Sequence, residues 1–281
     1  MDYAEFAPPP ALGRFVQCVW TLRGASREAA PQRVLPDGSV ELVLHVGDEF
    51  RRHEEDGGVT VQPRALVVGV VDRWLMVESG RDVDVIGVRF RPGAVRGVLG
   101  IPQAELRGAC HALGDLGVVP LRGLLEAVGN APDDAGRMAA LSAGLLQAAE
   151  RATTPPQPVL HAARRIIGSS GMAPIGGMAA DAGISLRHLE RRFRREVGVT
   201  PKGLARLRRF QAVIGRLAAA APPRWATLAA ACGYADQAHL IREFREFAGT
   251  TPAAYWREAH PLSDLFHGSV DFLQDSTVPS A

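Results

Sequence analysis

Cysteine is scarce and poorly placed for chemistry: Cys18, Cys110 and Cys232 are the only three in 281 residues. Their wide spacing leaves no CxxC pair, so no redox dithiol or local thiolate cage can form, and the odd number suits a reducing compartment. The role expected of each is that of a small buried apolar side chain. Long apolar runs are missing as well. The longest clean one, ALVVGVV at 65–71, is far short of the roughly 20 residues that cross a bilayer, and the acidic, Pro-rich opening MDYAEFAPPP has no apolar h-region. Together these absences lead to the expectation of a soluble, cytoplasmic protein with no membrane partner.

What is present suffices for two ordinary domains. Hydrophobic residues make up 47% and charged residues 22% of the chain, so each half can bury a core and disorder is not the default. The net charge of +2 conceals a division. Residues 159–260 hold 16 Arg+Lys against 7 Asp+Glu, residues 1–158 hold 16 against 20, and the last 21 residues hold none against 3. A compact segment at +9, almost all of it arginine, points to a polyanion, because guanidinium suits bidentate contacts to phosphate and guanine. A solvated charged face is the plain alternative.

Between about Phe15 and Phe90, short runs rich in Val, Leu, Ile and Trp alternate with turn clusters: FVQCVWTL, LPDG, SVELVLHV, ALVVGV, WLMVES and VDVIGVRF. That rhythm predicts a β sandwich or barrel. Helical patterns follow, opened by Pro92 in RPGAVRGVLG and continuing through LRGLLEAVG and GRMAALSAGLLQAAER. TTPPQP at 153–158 reads as a linker, since neither helix nor strand tolerates that proline density. Everything from Val159 to Ala259 is helical in pattern, and the residues beyond read as a weakly ordered tail. The expected architecture is α+β, in four parts. Residues 1–152 form a β-rich domain with following helices, and 153–158 are the linker. Residues 159–260 form an all-α domain, and 261–281 are the tail.

The most informative feature is a repeat. LRHLERRFRREVGVTP at 186–201 returns as QAHLIREFREFAGTTP at 237–252, with eight of sixteen aligned positions identical. On a helical wheel Leu189 and Phe193 share one face, as Leu240 and Phe244 do in the second copy, so each helix has an apolar anchor at i, i+4. The opposite face carries Arg187, Arg191 and Arg194, with Glu190 beside them, and in the second copy Ala238, Arg242 and Arg245. Ser185 and Asp236 sit where N-caps belong, and Thr-Pro at 200–201 and 251–252 supplies a cap and first-position proline for the next helix. Before each copy lies a short Ala-rich helix and a Gly turn, GGMAADAG and TLAAACG. These make two helix-turn-helix units, whose second helix enters a major groove. Between them PKGLARLRRFQAVIGRLAAA, 201–220, predicts a helix of ~30 Å, close to the ~34 Å between successive major grooves on one face of B-DNA. Two readers one turn apart would give one chain a two-site contact.

Residues 159–259 resemble the DNA-binding domain of the AraC/XylS transcriptional regulators, most specifically in GYADQAHLIREFREFAGTTPAAYWR, 233–257. The resemblance implies base reading from Arg187, Glu190 and Arg191 in the first unit and from Gln237, Ala238, His239 and Arg242 in the second. Ala238 has no hydrogen-bonding group and can offer only an apolar contact, such as one to a thymine methyl. Gly176 and Gly177 interrupt the first scaffold helix at a cost of about 1 kcal/mol each against Ala. His188 and His239 lie beside the groove face, where a packed structural histidine is at least as good a reading. Lys202, Arg208 and Arg209 on the connecting helix read as phosphate or solvent contacts rather than base readers.

In the N-terminal half, LPDGSVELVLHVGD and VIGVRFRPGAVRGVLG look like the amino-terminal domain of one subgroup of AraC-like regulators. The wider family implies a β-rich sensing or dimerising domain. Glu41, Val43 and His45 share one strand face, and Trp20, Glu41, His45, Trp74 and Arg89 are the candidate effector-pocket residues. Core or interface packing is the plainer role for both tryptophans. A metal site is not expected, because no HxH pair accompanies Glu41 and His45.

Three functions remain in view. The leading one is a sequence-specific transcription factor, not an enzyme and without a cofactor. Its partners are double-stranded DNA, a candidate small-molecule effector, a candidate homodimer, and RNA polymerase if it activates. The second is an enzyme fused to a DNA-binding module, as in the Ada-type repair proteins; it needs four clustered cysteines, which three scattered ones cannot supply. The third is a sequence-non-specific DNA-binding protein driven by the basic segment alone.

Overall fold

The protein is described by a computed structural model that covers residues 1–26, 30–150, 154–217 and 223–258. The predicted tail and residue 153 of the linker lie outside the described residues. The architecture is α+β, as the patterns above predict. The strands are β1 (Asp2–Phe6), β2 (Val16–Ala25), β3 (Gln32–Val34), β4 (Glu41–His45), β5 (Arg51–His53), β6 (Val59–Val61), β7 (Ala65–Val68), β8 (Leu75–Glu78), β9 (Asp82–Phe90) and β10 (Cys110–Ala112). They form two antiparallel sheets, one in the order β1-β2-β9-β4-β7-β10 and one in the order β3-β8-β5-β6.

The central strands read as near-continuous apolar runs because both of their faces are covered. Cys18, Trp20, Leu22, Val43, Leu66 and Val85 pack between the sheets with Phe50 and Val77. Val19, Leu42, Leu44, Val67, Ile86, Val88 and Phe90 point the other way. There they meet the helices α1 (Val95–Leu99), α2 (Leu124–Gly129) and α3 (Asp134–Ala149). Two local expectations change. MDYAEFAPPP contributes β1, which pairs along its whole length with β2. Pro92 does not open a helix. It forms a turn with Gly93, whose φ is +82°, and α1 begins three residues later.

The second half is all helical: α4 (Gln157–Gly168), α5 (Ile175–Asp181), α6 (Leu186–Val197), α7 (Pro201–Leu217), α8 (Trp225–Ala231), α9 (Gln237–Ala248) and α10 (Pro252–Arg257). The connecting helix α7 has 17 residues, about 26 Å at 1.5 Å per residue; the rest of its expected span, 218–220, lies outside the described residues. Its buried positions include Leu204, Leu207, Phe210, Val213, Ile214 and Leu217, so it is the shaft on which the other helices pack.

The halves are not independent beads. One cluster of buried side chains runs from Leu42, Ile86 and Phe90 through Val95 and Leu145 to Phe193, Phe210 and Phe244. The LPDG turn sits on α7, with Gly38 against Leu204 and Leu207 and the Pro36 carbonyl accepting from the Gln211 amide. Arg208, expected at the surface, is buried, and burial pushes its guanidinium below the ordinary value although the Asp37 carboxylate of this turn partly offsets the shift.

Candidate nucleic-acid interface

Each unit is assembled by the same local chemistry. The short helices α5 and α8 end in turns whose glycines, Gly183 at φ +63° and Gly233 at φ +76°, take the left-handed conformation that side chains resist. The next helix is then started by a side-chain cap: Ser185 Oγ accepts from the His188 N–H at 3.2 Å, and Asp236 Oδ1 accepts from the His239 N–H at 2.7 Å. Thr200 Oγ1 and Thr251 Oγ1 cap α7 and α10 by accepting from the Gly203 and Ala254 N–H groups.

The apolar anchors are core. Leu189, Phe193, Leu240 and Phe244 are all fully buried. In the second unit Phe244 stacks edge-on to Phe210 at 5.1 Å and to Tyr255 at 5.7 Å, the offset geometry that ring quadrupoles favour.

The opposite faces are open. Arg187, Glu190, Arg191 and Arg194 on α6 are exposed, and so are Gln237, Ala238, Arg242 and Arg245 on α9. Among the described residues no carboxylate pairs with Arg187, Arg191, Arg194, Arg242 or Arg245, whereas Arg165, Arg206 and Arg209 on the scaffold are paired. Arg206 Nε donates to Glu243 at 2.7 Å, and Arg209 lies 3.6 Å from the same carboxylate. Arg165 pairs with Asp181. Both outward faces thus present exposed guanidinium groups with no carboxylate partner among the described residues. Arg192 and Arg195 are also exposed on α6; they fall beside the wheel face and spacing alone did not select them.

His239 is placed differently from its neighbours. It is half-buried, its ring stands edge-on to Tyr234 at 5.3 Å, and its Nε2 lies 3.5 Å from Glu243. Glu243, buried at 7% exposure, is the hub that ties α9 to α7, a role no motif announced. Arg194, at the far end of α6, borders a cleft with Asp72, Arg107 and Glu246.

The five N-terminal candidates do not converge on one pocket. Glu41 and Arg89 are opposite one another on β4 and β9, joined at 2.8 Å. Arg89 also reaches Glu5 at 3.0 Å and Asp37 at 3.5 Å. Burial pushes the Glu41 carboxyl up to about 6 despite that guanidinium, while the Trp20 indole adds a hydrogen bond that favours its ionised form. His45 lies further along the same face against Phe50 at 4.7 Å, and burial pushes its imidazole down to about 4. Trp74 is elsewhere, wedged against α9 with its backbone N–H donating to the Phe247 carbonyl at 2.8 Å. Trp20, Glu41 and Arg89 therefore form one group between the sheets, His45 a neighbour, and Trp74 a contact between the halves.

Two capped, glycine-turned helix pairs with outward arginines, set on a common helix, define a double helix-turn-helix DNA-binding domain. Residues 178–258 match a family model described as a helix-turn-helix domain, and residues 4–112 match one described as a domain of unknown function, DUF6597. The helix-turn-helix domain at 178–258 is of the AraC type, in line with the AraC/XylS resemblance of the sequence. No curated protein sequence matches it. Among solved structures, ToxT from Vibrio cholerae is similar at a TM-score of 0.45 and 11% identity, covering 85% of this chain and 97% of that one. Unsaturated fatty acid-bound ToxT from the same organism gives 0.42 and 11%, covering 85% and 93%. Among the described residues no helix is long and apolar enough to cross a membrane.

Proposed function

We propose that one chain reads two neighbouring major grooves of an operator, α6 in one and α9 in the other, as a sequence-specific transcriptional regulator. Residues 159–260 are the DNA-binding part in this reading and 1–152 the sensing or dimerising part. Arg187, Glu190 and Arg191 contact bases in the first half-site; Gln237, Ala238 and Arg242 do so in the second. Arg194 and Arg245, further from the helix N-termini, contact phosphate. His239 holds the turn and reads bases only if it leaves Tyr234. The observation that carries the reading is the distribution of charge: Arg187, Arg191, Arg194, Arg242 and Arg245 face outward on the two repeats with no carboxylate partner among the described residues, while Arg165, Arg206 and Arg209 beneath them are paired. An effector entering the sandwich would compete with the Glu41–Arg89 pair. A homodimer, and contact with RNA polymerase in an activator, belong to the same reading.

Selecting bound duplexes from a random pool with the full chain tests this. The expected outcome is a long consensus in two boxes, and Arg242→Ala should weaken binding by ~1–3 kcal/mol and relax one base position. A uniform loss on all sequences would assign Arg242 to phosphate. Absence of any consensus, with steep salt dependence, would replace this reading with non-specific coating.

A further inference from the structure

An α-helix leaves its last four carbonyls without intrahelical partners. Both candidate recognition helices end at the repeat-equivalent glycines Gly198 and Gly249, at φ +82° and +67°. At each of these ends a residue of the N-terminal half supplies a donor. Gln103, 1% exposed, donates from Nε2 to the Val197 carbonyl at 2.8 Å. The Trp74 backbone N–H donates to the Phe247 carbonyl at 2.8 Å. Both contacts are tight. A β-carbon on Gly198 would stand 3.2 Å from the Gln103 carbonyl oxygen, and one on Gly249 would stand 2.1 Å from Trp74 Nε1.

Gln103 opens a short 3-10 helix, Gln103–Leu106, whose far end is laced to the loop that carries Trp74. The Gly108 N–H donates to the Val70 carbonyl at 3.0 Å, and Arg107 pairs with Asp72. Ion pairs flank each grip. Arg96 meets Glu196 at 2.9 Å beside the first, and Arg33 meets Glu258 at 3.7 Å while its guanidinium lies over the Trp74 ring at 5.1 Å. A third attachment holds the shaft between them, through Gly38 against Leu204 and Leu207 and through Gln211 on the Pro36 carbonyl. Both grips act at the ends opposite the N-caps Ser185 and Asp236, so the outward arginines stay open.

We propose that the N-terminal domain sets the distance and phase between the two DNA readers, with Gln103 and Trp74 as positioning residues that act through the C-terminal turns of α6 and α9. This rests on the two-groove reading above. One rigid bracket holding both helices resists changes of twist between α6, joined to α7 by the turn at 198–200, and α9, which follows α7 only through α8. The two grips use different groups, a side-chain amide and a backbone N–H backed by an indole, and can be loosened separately.

The test repeats the random-pool selection with full-length wild type, Gln103→Ala and Trp74→Ala, and measures affinity for operators lengthened by one base pair between the boxes. Such an insertion moves the second site by ~3.4 Å and about 35°. The wild type should select one spacing and lose about tenfold or more on the lengthened operator, an effect of ~1.4 kcal/mol. Each variant should select the same bases in each box, accept several spacings and lose much less. Trp74→Phe, which keeps an aromatic body and the backbone N–H, should restore the wild-type preference. If Trp74→Ala fails to fold by thermal melting, Gln103→Ala and Trp74→Phe carry the comparison. A two-box consensus whose spacing stays as narrow in the variants as in the wild type overturns this inference alone. A wild-type selection without two boxes overturns the two-groove reading and this inference with it.

Discussion

Gly249→Ala isolates the contact between the halves in a single methyl group. The native φ of +67° lies in the left-handed region, where a non-glycine residue costs roughly 1–2 kcal/mol. The new β-carbon would also stand 2.1 Å from Trp74 Nε1 and 2.5 Å from its Cε2. Those atoms belong to a ring wedged against α9, and overpacking of this kind costs about 1–3 kcal/mol. The total is about 2–5 kcal/mol. Gly183→Ala provides the internal control: its φ is +63°, but nothing lies within 4 Å of its added carbon, so only the backbone contribution remains. Equilibrium unfolding in urea measures both, in the wild-type and Trp74→Ala backgrounds. Gly249→Ala should cost about 1–3 kcal/mol more than Gly183→Ala, and the excess should vanish once the indole is gone. Equal costs for the two substitutions, or an excess that survives Trp74→Ala, would refute the wedge.

Three further outcomes are expected. Phe244→Ala should cost ~3–5 kcal/mol, because the ring is fully buried between Phe210 and Tyr255; a wild-type melting temperature would contradict the core assignment. His45 should make the fold acid-sensitive. Its imidazole is pushed from 6.5 down to about 4 by burial, so the stability it contributes is present above pH 6.5 and is lost as pH falls through about 4. The full loss is ~3 kcal/mol, and the stability difference between His45→Leu and wild type should widen over that window; a difference independent of pH would show that the imidazole stays hydrated. Gly176→Ala and Gly177→Ala should each stabilise by up to about 1 kcal/mol, since both lie within α5 with open space around them. A lowered melting temperature would mean that α5 needs their freedom.

The helix-turn-helix units were legible because their determinants are local. Anchors four residues apart, caps adjacent to helices and a glycine in each turn need only a few neighbouring residues to be read, and the duplication doubled the signal. The misreadings share the opposite origin. DYAEF gives little sign of being a strand until β2, ten residues away, supplies its partner. Arg208 looked like a surface cation because the carboxylate that favours its charge, Asp37, lies 171 residues earlier in the chain. Interface packing is the plainer reading of Trp74 from sequence, but its seat against Gly249 follows from how two domains meet and is not legible locally. Proline density marked 153–158 as a linker, but composition says nothing of the tight docking between the parts it joins, and α4 already begins at Gln157.

The unbroken core shared by the two halves has a consequence for how damage spreads. A side chain lost from the inner strands, such as Leu44 or Ile86, withdraws support from the same cluster that seats Phe193 and Phe244. Unfolding of the sheets is thereby coupled to the helical half, and a lesion far from any operator silences the regulator by thinning the folded population. Loss of repression or activation in a sandwich variant is therefore no sign, by itself, of a lost effector contact.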